Sequence, residues 1–398
     1  MLVNRAKQRN SILQGLAEMK SGQVVKRLPK MDKTVEPLIV KNLMKGEKIE
    51  SFLIWGRGVK LSRMVAITFG LLWGIDGFFK FQGALYTQIP GVIQQAGVGQ
   101  PAFLNGWFSF WYGVVSYNPM LVTYGTGILE LSIAFALIAG FARKIAYIGG
   151  IILGMFIWAV PEGFGGPYGP GSVTVGGGDI YALGLLFMIV LGATYGRDRY
   201  TLDYLIERRF GAWTAVAEVP KVHLDHIKGW FSRNSMKLSR GSAILFGLVY
   251  ASESYLAFYF NLSGNIVSVV QDKASGAPLF LSGWFSFWEG QVTAAPAFYA
   301  TLIGVLEALL AISLILGLGR KVAYLGGAAF AILAWGVGEG FGGTPVPGYT
   351  DPGTGIVQAI AFLILLGLNA THGTDPLTLD SRLEIRFNWW KKVAEMSY

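Results

Sequence analysis

Four carboxyl residues lie well within long apolar stretches of this sequence, away from their ends, and they form two related pairs. Asp76 and Glu253 lie late in the first apolar stretch of each half of the chain, and Glu130 and Glu307 lie about midway along the second. An ionisable group in such a place is costly unless it is paired or used, so each is a functional candidate. A carboxyl there can relay a proton, hydrogen-bond a quinone carbonyl, or tie two helices together through a neighbouring Tyr or Trp. Lys80 stands one helical turn beyond Asp76 and can neutralise it. The matching residue of the second half is Ala257, so any such pair is not symmetric.

Glu162 and Glu339 open two Gly-Phe-Gly-Gly runs. Glycine lets backbone N–H groups approach a ligand, and an adjacent carboxylate can take up or release a proton there. The competing reading is a compact connection that needs positive φ. Two aromatic blocks, 106–111 and 283–288, place Trp107 and Trp111, and Trp284 and Trp288, four residues apart on one helical face. A belt at the membrane interface accounts for them, and a quinone or lipid pocket is the alternative. Glu130, Glu307, Glu162 and Glu339 are thus the candidate catalytic carboxyls. Trp107, Trp111, Trp284 and Trp288, with Asp76 and Glu253, are the candidate cofactor-binding set.

The chain has no cysteine and three histidines, His223, His226 and His372, all outside the apolar stretches. That excludes disulfides, a thiolate iron–sulfur cluster and a thiol nucleophile, and argues against haem held by two histidines. His223 and His226 are spaced to share a metal, but no third ligand accompanies them, so no metal site is expected. Redox chemistry here would use an organic carrier or a partner's cofactor.

The elements that must position these residues are helices in a membrane. Hydrophobic residues make up 53% of the chain and charged ones only 14%, with 54 glycines, too little polar surface for a soluble protein of this length. A single offset of 177 positions aligns the two halves. Gly-Trp-Phe-Ser-Phe-Trp at 106–111 returns at 283–288, Arg143-Lys144 at Arg320-Lys321, and Thr201-Leu202-Asp203 at Thr378-Leu379-Asp380. So many rare residues in one register mark a duplication.

Each half has four apolar spans, near 64–82, 120–140, 145–161 and 178–195, then 241–260, 297–317, 322–338 and 355–371. The fold expected is an all-α membrane protein, with eight transmembrane helices as two tandem four-helix bundles in the same orientation. A basic N-terminal extension spans 1–60, with a short amphipathic stretch at 11–19 and no secretory signal expected. The first repeat covers 61–210, a linker 211–237, the second repeat 238–387 and a tail 388–398.

All but Lys80 and Lys273 of the 33 lysines and arginines fall at one end of this arrangement. The positive-inside rule makes that end, with both termini, cytoplasmic, in a plasma membrane. These basic residues lie against lipid headgroups, which argues against nucleic-acid binding. The stretch 81–118 has no charged residue and is expected to be a loop folded onto the membrane.

The aromatic block, the Glu-Gly-Phe-Gly-Gly-Pro-Tyr run at 162–168 and the four-span length resemble the DoxD/DoxX family of membrane proteins over 61–210 and 238–387. The resemblance implies a membrane subunit of a thiosulfate:quinone oxidoreductase or terminal quinol oxidase, with quinone as its cofactor and a second subunit as partner. Thiosulfate is a dianion, and Lys80 and Lys273 are the only strong cations at the outer end. The sulfur substrate would therefore sit mainly on a partner, leaving this chain as the quinone-side anchor. Competing functions are a non-catalytic scaffold of a respiratory complex and, third, a small-solute transporter.

Overall fold

The computed structural model describes residues 36–83, 85–166, 176–195, 198–217, 234–259, 262–275, 277–342 and 352–396, with side chains from residue 58 onward. The amphipathic stretch at 11–19, the proline-containing turns at 167–171 and 344–349, and His223 and His226 lie outside these residues. Arg57–Tyr398 form one unit and Met1–Gly56 another, and the first of these carries every candidate residue.

Among the described residues all regular structure is helical. In the first half α1 is Glu36–Phe79, α2 Leu85–Gly97, α3 Asn105–Tyr117, α4 Pro119–Ala139, α5 Arg143–Ala159, α6 Gly178–Tyr195 and α7 Leu202–Glu207. In the second, α8 is Ser235–Tyr259, α9 Ile266–Ser275, α10 Ser282–Ala294, α11 Pro296–Leu316, α12 Arg320–Val337, α13 Thr354–His372 and α14 Leu379–Arg386. The bounds of α3 and α4 return in α10 and α11 at the same offset as the sequence repeat.

Among the described residues six helices are long and apolar enough to cross a membrane: α1 over Gly58–Phe79, α4, α6, α8, α11 and α13. The third apolar span of each half forms α5 and α12, of 17 and 18 residues. At 1.5 Å per residue these are about 26 Å long, close to the length of α6, and each opens on an Arg-Lys pair. Exposed Leu121, Ile152, Leu245 and Phe298 clothe the outer faces, an apolar surface suited to lipid.

The uncharged stretch after α1 is not a loop. It forms α2 and α3, because Leu85, Ile93 and Ala96 recur at helical spacing and turn inward. Asn118 then starts α4, its side chain accepting from the Leu121 N–H at 3.0 Å, with Pro119 at the first helical position.

Small residues bring α1 and α4 together. A Cβ on Gly70 would lie 3.0 Å from the Ala134 carbonyl, and one on Gly77 3.0 Å from Glu130 Cβ and 3.1 Å from the Gly127 carbonyl. The backbones can approach only because these side chains are missing. Centrally, α6 is buried on almost every side and packs against α13 and α8. Phe69 stacks on Tyr181 at 5.6 Å, Phe187 meets Phe246 at 5.9 Å, and Phe246 meets Phe362 at 4.8 Å. The Tyr195 hydroxyl lies 2.6 Å from Thr371 Oγ1 and donates to the Gly367 carbonyl at 3.1 Å, joining α6 to α13.

Candidate functional site

The glycine contact between α1 and α4 puts Glu130 opposite Gly77, one turn from Lys80. Lys80 Nζ donates to Asp76 Oδ1 at 2.8 Å and lies 2.7 Å from Glu130 Oε2. Glu130 is fully buried, so the ammonium supplies the countercharge that water cannot. The pairing of Asp76 with Lys80 follows the sequence spacing; the inclusion of Glu130 does not, because it depends on how closely two helices approach.

The second half builds the same place differently. Glu253 and Glu307 stand where Asp76 and Glu130 stand, and Ala257 replaces the lysine. Glu253 accepts from Gln358 Nε2 at 3.3 Å, and Gln358 Oε1 accepts from the Tyr250 hydroxyl at 2.9 Å. Ser254 donates to the Gly304 carbonyl at 2.8 Å, fixing α8 against α11 beside the pair. Glu307 is 7% exposed and its Oε2 is buried without a hydrogen-bond partner. The two carboxyls interact electrostatically. Trp288 packs on the apolar cluster that contains Ala257, one turn beyond Glu253. Tyr250 and Gln358 are missing from the sequence-based candidates; they replace Trp73 and Tyr181 of the first half, and that change of polarity within a repeat was the available signal.

Glu162 and Glu339 sit at helix N-termini. Glu162 accepts from Gly177 N at 2.8 Å and from Gly178 N at 3.0 Å, capping α6. Glu339 accepts from Gly355 N at 3.1 Å and from the Thr354 hydroxyl, capping α13. Each carboxylate answers the positive end of a helix dipole and its orphan N–H groups. The residue between the glycines has positive φ in both loops, 58° at Phe164 and at Phe341. That costly conformation is braced by indoles: Trp158 meets Phe164 at 5.2 Å and Trp335 meets Phe341 at 5.1 Å.

The aromatic blocks close over these loops. Trp107 Nε1 donates to the Ala159 carbonyl at 2.9 Å and Trp284 Nε1 to that of Gly336 at 3.1 Å. Trp111 and Trp288 keep buried Nε1–H groups without partners. A groove of about 520 Å³ opens beside the first loop, lined by Gln88, Gly91, Val92, Gln95, Ala96, Pro161 and Gly166. Neither Glu130 nor Glu307 lines it.

The opposite end carries a charged cluster that sequence reasoning took only as repeat markers and positive-inside signal. Asp203 is fully buried, 3.0 Å from Arg143 Nε, and accepts from Ala142 N at 2.7 Å and Trp213 Nε1 at 2.8 Å. Asp380 repeats this with Arg320 Nε at 3.1 Å, Gly319 N at 2.7 Å and Trp390 Nε1 at 2.7 Å. Arg63 donates to the carbonyls of Leu137 and Ile138, and Arg240 to those of Leu314 and Ile315, capping the C-termini of α4 and α11. The signal was the recurrence of Arg63, Arg143 and Asp203 together in one register.

No family model, curated protein or solved structure matches the chain.

Proposed function

We propose that this chain is an integral membrane subunit on the quinone side of a respiratory or sulfur (thiosulfate) oxidoreductase. Its eight helices cross a plasma membrane as two four-helix halves of one orientation, with the arginine-bearing end and both termini cytoplasmic. The observation that carries the reading is the Glu253–Glu307 pair, two buried carboxyls in apolar helices with an indole near them and alanine in the place of lysine. Reduction of a quinone takes up two electrons and two protons. Electrons would come from a partner subunit, and the carboxyls would hand protons to the reduced ring oxygens and then regain them. The resemblance of the aromatic block and glycine loop to DoxD/DoxX proteins supplies the quinone and the thiosulfate-type donor in this proposal.

A scaffold role is the second reading, and the first half favours it. There Lys80 satisfies Asp76 and Glu130, and Glu162 is engaged in capping a helix. The test is quinone reduction by the reconstituted complex. Glu253→Gln and Glu307→Gln should each lower the rate by about 100-fold, and Glu130→Gln should leave it within about threefold. Wild-type rates in both second-half variants would overturn the reading, and a complex that assembles around them unchanged would favour the scaffold.

A further inference from the structure

If the second half exchanges protons, its carboxyls need a route to water, because Glu253 and Glu307 are both buried. The first half offers one. Helix α6 packs against α8 where Phe187 meets Phe246. From that contact Asp179 is eight residues back along α6 and Glu253 seven residues forward along α8. At 1.5 Å per residue these are displacements of about 12 and 10.5 Å. On two antiparallel helices these nearly equal displacements bring both acids to one level, where the charge of Asp179 acts on Glu253.

Asp179 is not consumed by other bonds. It lies in the first turn of α6, where one side of its carboxyl can accept the N–H groups of its own residue and Ile180. Its Oδ1 is buried with no hydrogen-bond partner. Glu162, at the glycine-loop end, is the acid that faces it from outside the helix. The groups around Glu253 are Tyr250 on its own helix, Glu307 on α11, Gln358 on α13, Asp179 on α6 and the charge of Glu339. The unpartnered Oε2 of Glu307, more than nine-tenths buried, ends the series.

Nothing equivalent is returned to the first half. The residue matching Asp179 is Ile356, which packs against the main apolar core. The Lys80/Ala257, Tyr181/Gln358 and Asp179/Ile356 differences therefore favour the same carboxyl pair.

We infer that Asp179 is the relay through which Glu253 and Glu307 exchange protons with the glycine-loop face, making the site a composite of both halves. This rests on the reading that the second half's carboxyls carry exchangeable protons. A proton arriving from water binds Asp179 Oδ1, passes by way of a bridging water to the Glu253 carboxylate as Asp179 loses it, and moves on in the same way to Glu307. Each transfer makes one O–H bond and breaks another, with no redox change. Asp179 is a relay residue, because in the proposed function the quinone is served by Glu253 and Glu307.

The experiment is infrared spectroscopy of the full-length protein in lipid films during exchange from H2O to D2O. The carbonyl band of a protonated carboxyl shifts when its proton is replaced, so the rate of that shift measures proton access. The band should disappear in the Glu253→Gln/Glu307→Gln double variant. Asp179→Asn should keep the band but slow its exchange by about tenfold or more, while Asp179→Glu should exchange at nearly the wild-type rate. Asparagine retains the first-turn acceptor, so a merely structural role for Asp179 predicts no slowing. Asp179→Ser provides the same comparison if the asparagine variant fails to fold. An unchanged rate without the Asp179 carboxyl overturns the relay alone. Absence of any band assignable to Glu253 or Glu307 overturns the proton-exchange reading, and the relay with it.

Discussion

The ammonium of Lys80 lies 2.7 Å from Glu130 Oε2, and 177 positions further on the equivalent glutamate, Glu307, faces a helix whose matching residue is Ala257. One half of a duplicated protein thus holds its buried carboxyls as a salt bridge, and the other holds them without a cation. The energetic consequences differ, and they can be measured.

Removing the lysine strands two carboxyls. Lys80→Ala should destabilise the protein by about 3–5 kcal/mol, the usual cost of breaking a buried pair by deleting one partner. Adding Glu130→Gln and Asp76→Asn should recover most of that loss. Thermal unfolding in detergent provides the check, and a single Lys80→Ala variant as stable as wild type would show that water reaches the triad.

At the opposite end, Asp203 and Asp380 each gather an arginine, a backbone N–H and an indole. Asp203→Ala and Asp380→Ala should each cost about 3–5 kcal/mol, since a buried guanidinium loses its countercharge. The emission of Trp213 or Trp390 should change with it, because the indole N–H loses its acceptor. Equal effects in the two halves are expected here, in contrast to the carboxyl pairs.

Glu384, at the same end and outside the apolar spans, is pushed up to about 7 from 4.5 by burial first and then by the charge of Glu395 and the hydrogen bond with it. The folded state therefore holds a proton that the unfolded state has released between those values. Stability contributed by the protonated group is present below about pH 4.5 and declines as pH rises toward 7. Glu384→Gln should remove that decline, visible as a flatter profile of unfolding temperature against pH.

The capping glutamates make a fourth case. Glu162→Ala and Glu339→Ala should each cost about 1–2 kcal/mol by leaving helix N–H groups without an acceptor. Glu162→Gln should cost less, because the amide oxygen still accepts. The unfolding temperature in detergent, lower in the alanine variants, is the readout.

Much of the fold was legible because apolar runs and repeated residues are properties of the chain alone. The register that pairs Trp107 with Trp284 also pairs α3 with α10, and α4 with α11. The spans at 145–161 and 322–338 were legible as helices, and each helix opens on an adjacent Arg-Lys pair. The stretch after Phe81 was misread as a loop, since absence of charge says nothing about helical periodicity, and Ile93 and Ala96 carried that signal. Of the candidate site, the pairing of Asp76 with Lys80 was visible as a four-residue spacing. The company of Glu130 and the indole donors to Asp203 and Asp380 were not, because they arise between elements apart in sequence.

Two equivalent helices, α6 and α13, meet at the centre of the molecule, and Tyr195 bonds to Thr371 across their contact. A surface that meets its own counterpart is what a symmetric dimer uses to hold itself together. In such a dimer every mutation strikes both subunits at once, so losing a lysine from one would lose it from the other. Joining the two copies in one gene removes that constraint. Residues 80 and 257, or 179 and 356, can then be selected separately, and one copy can keep the assembly intact while its neighbour changes.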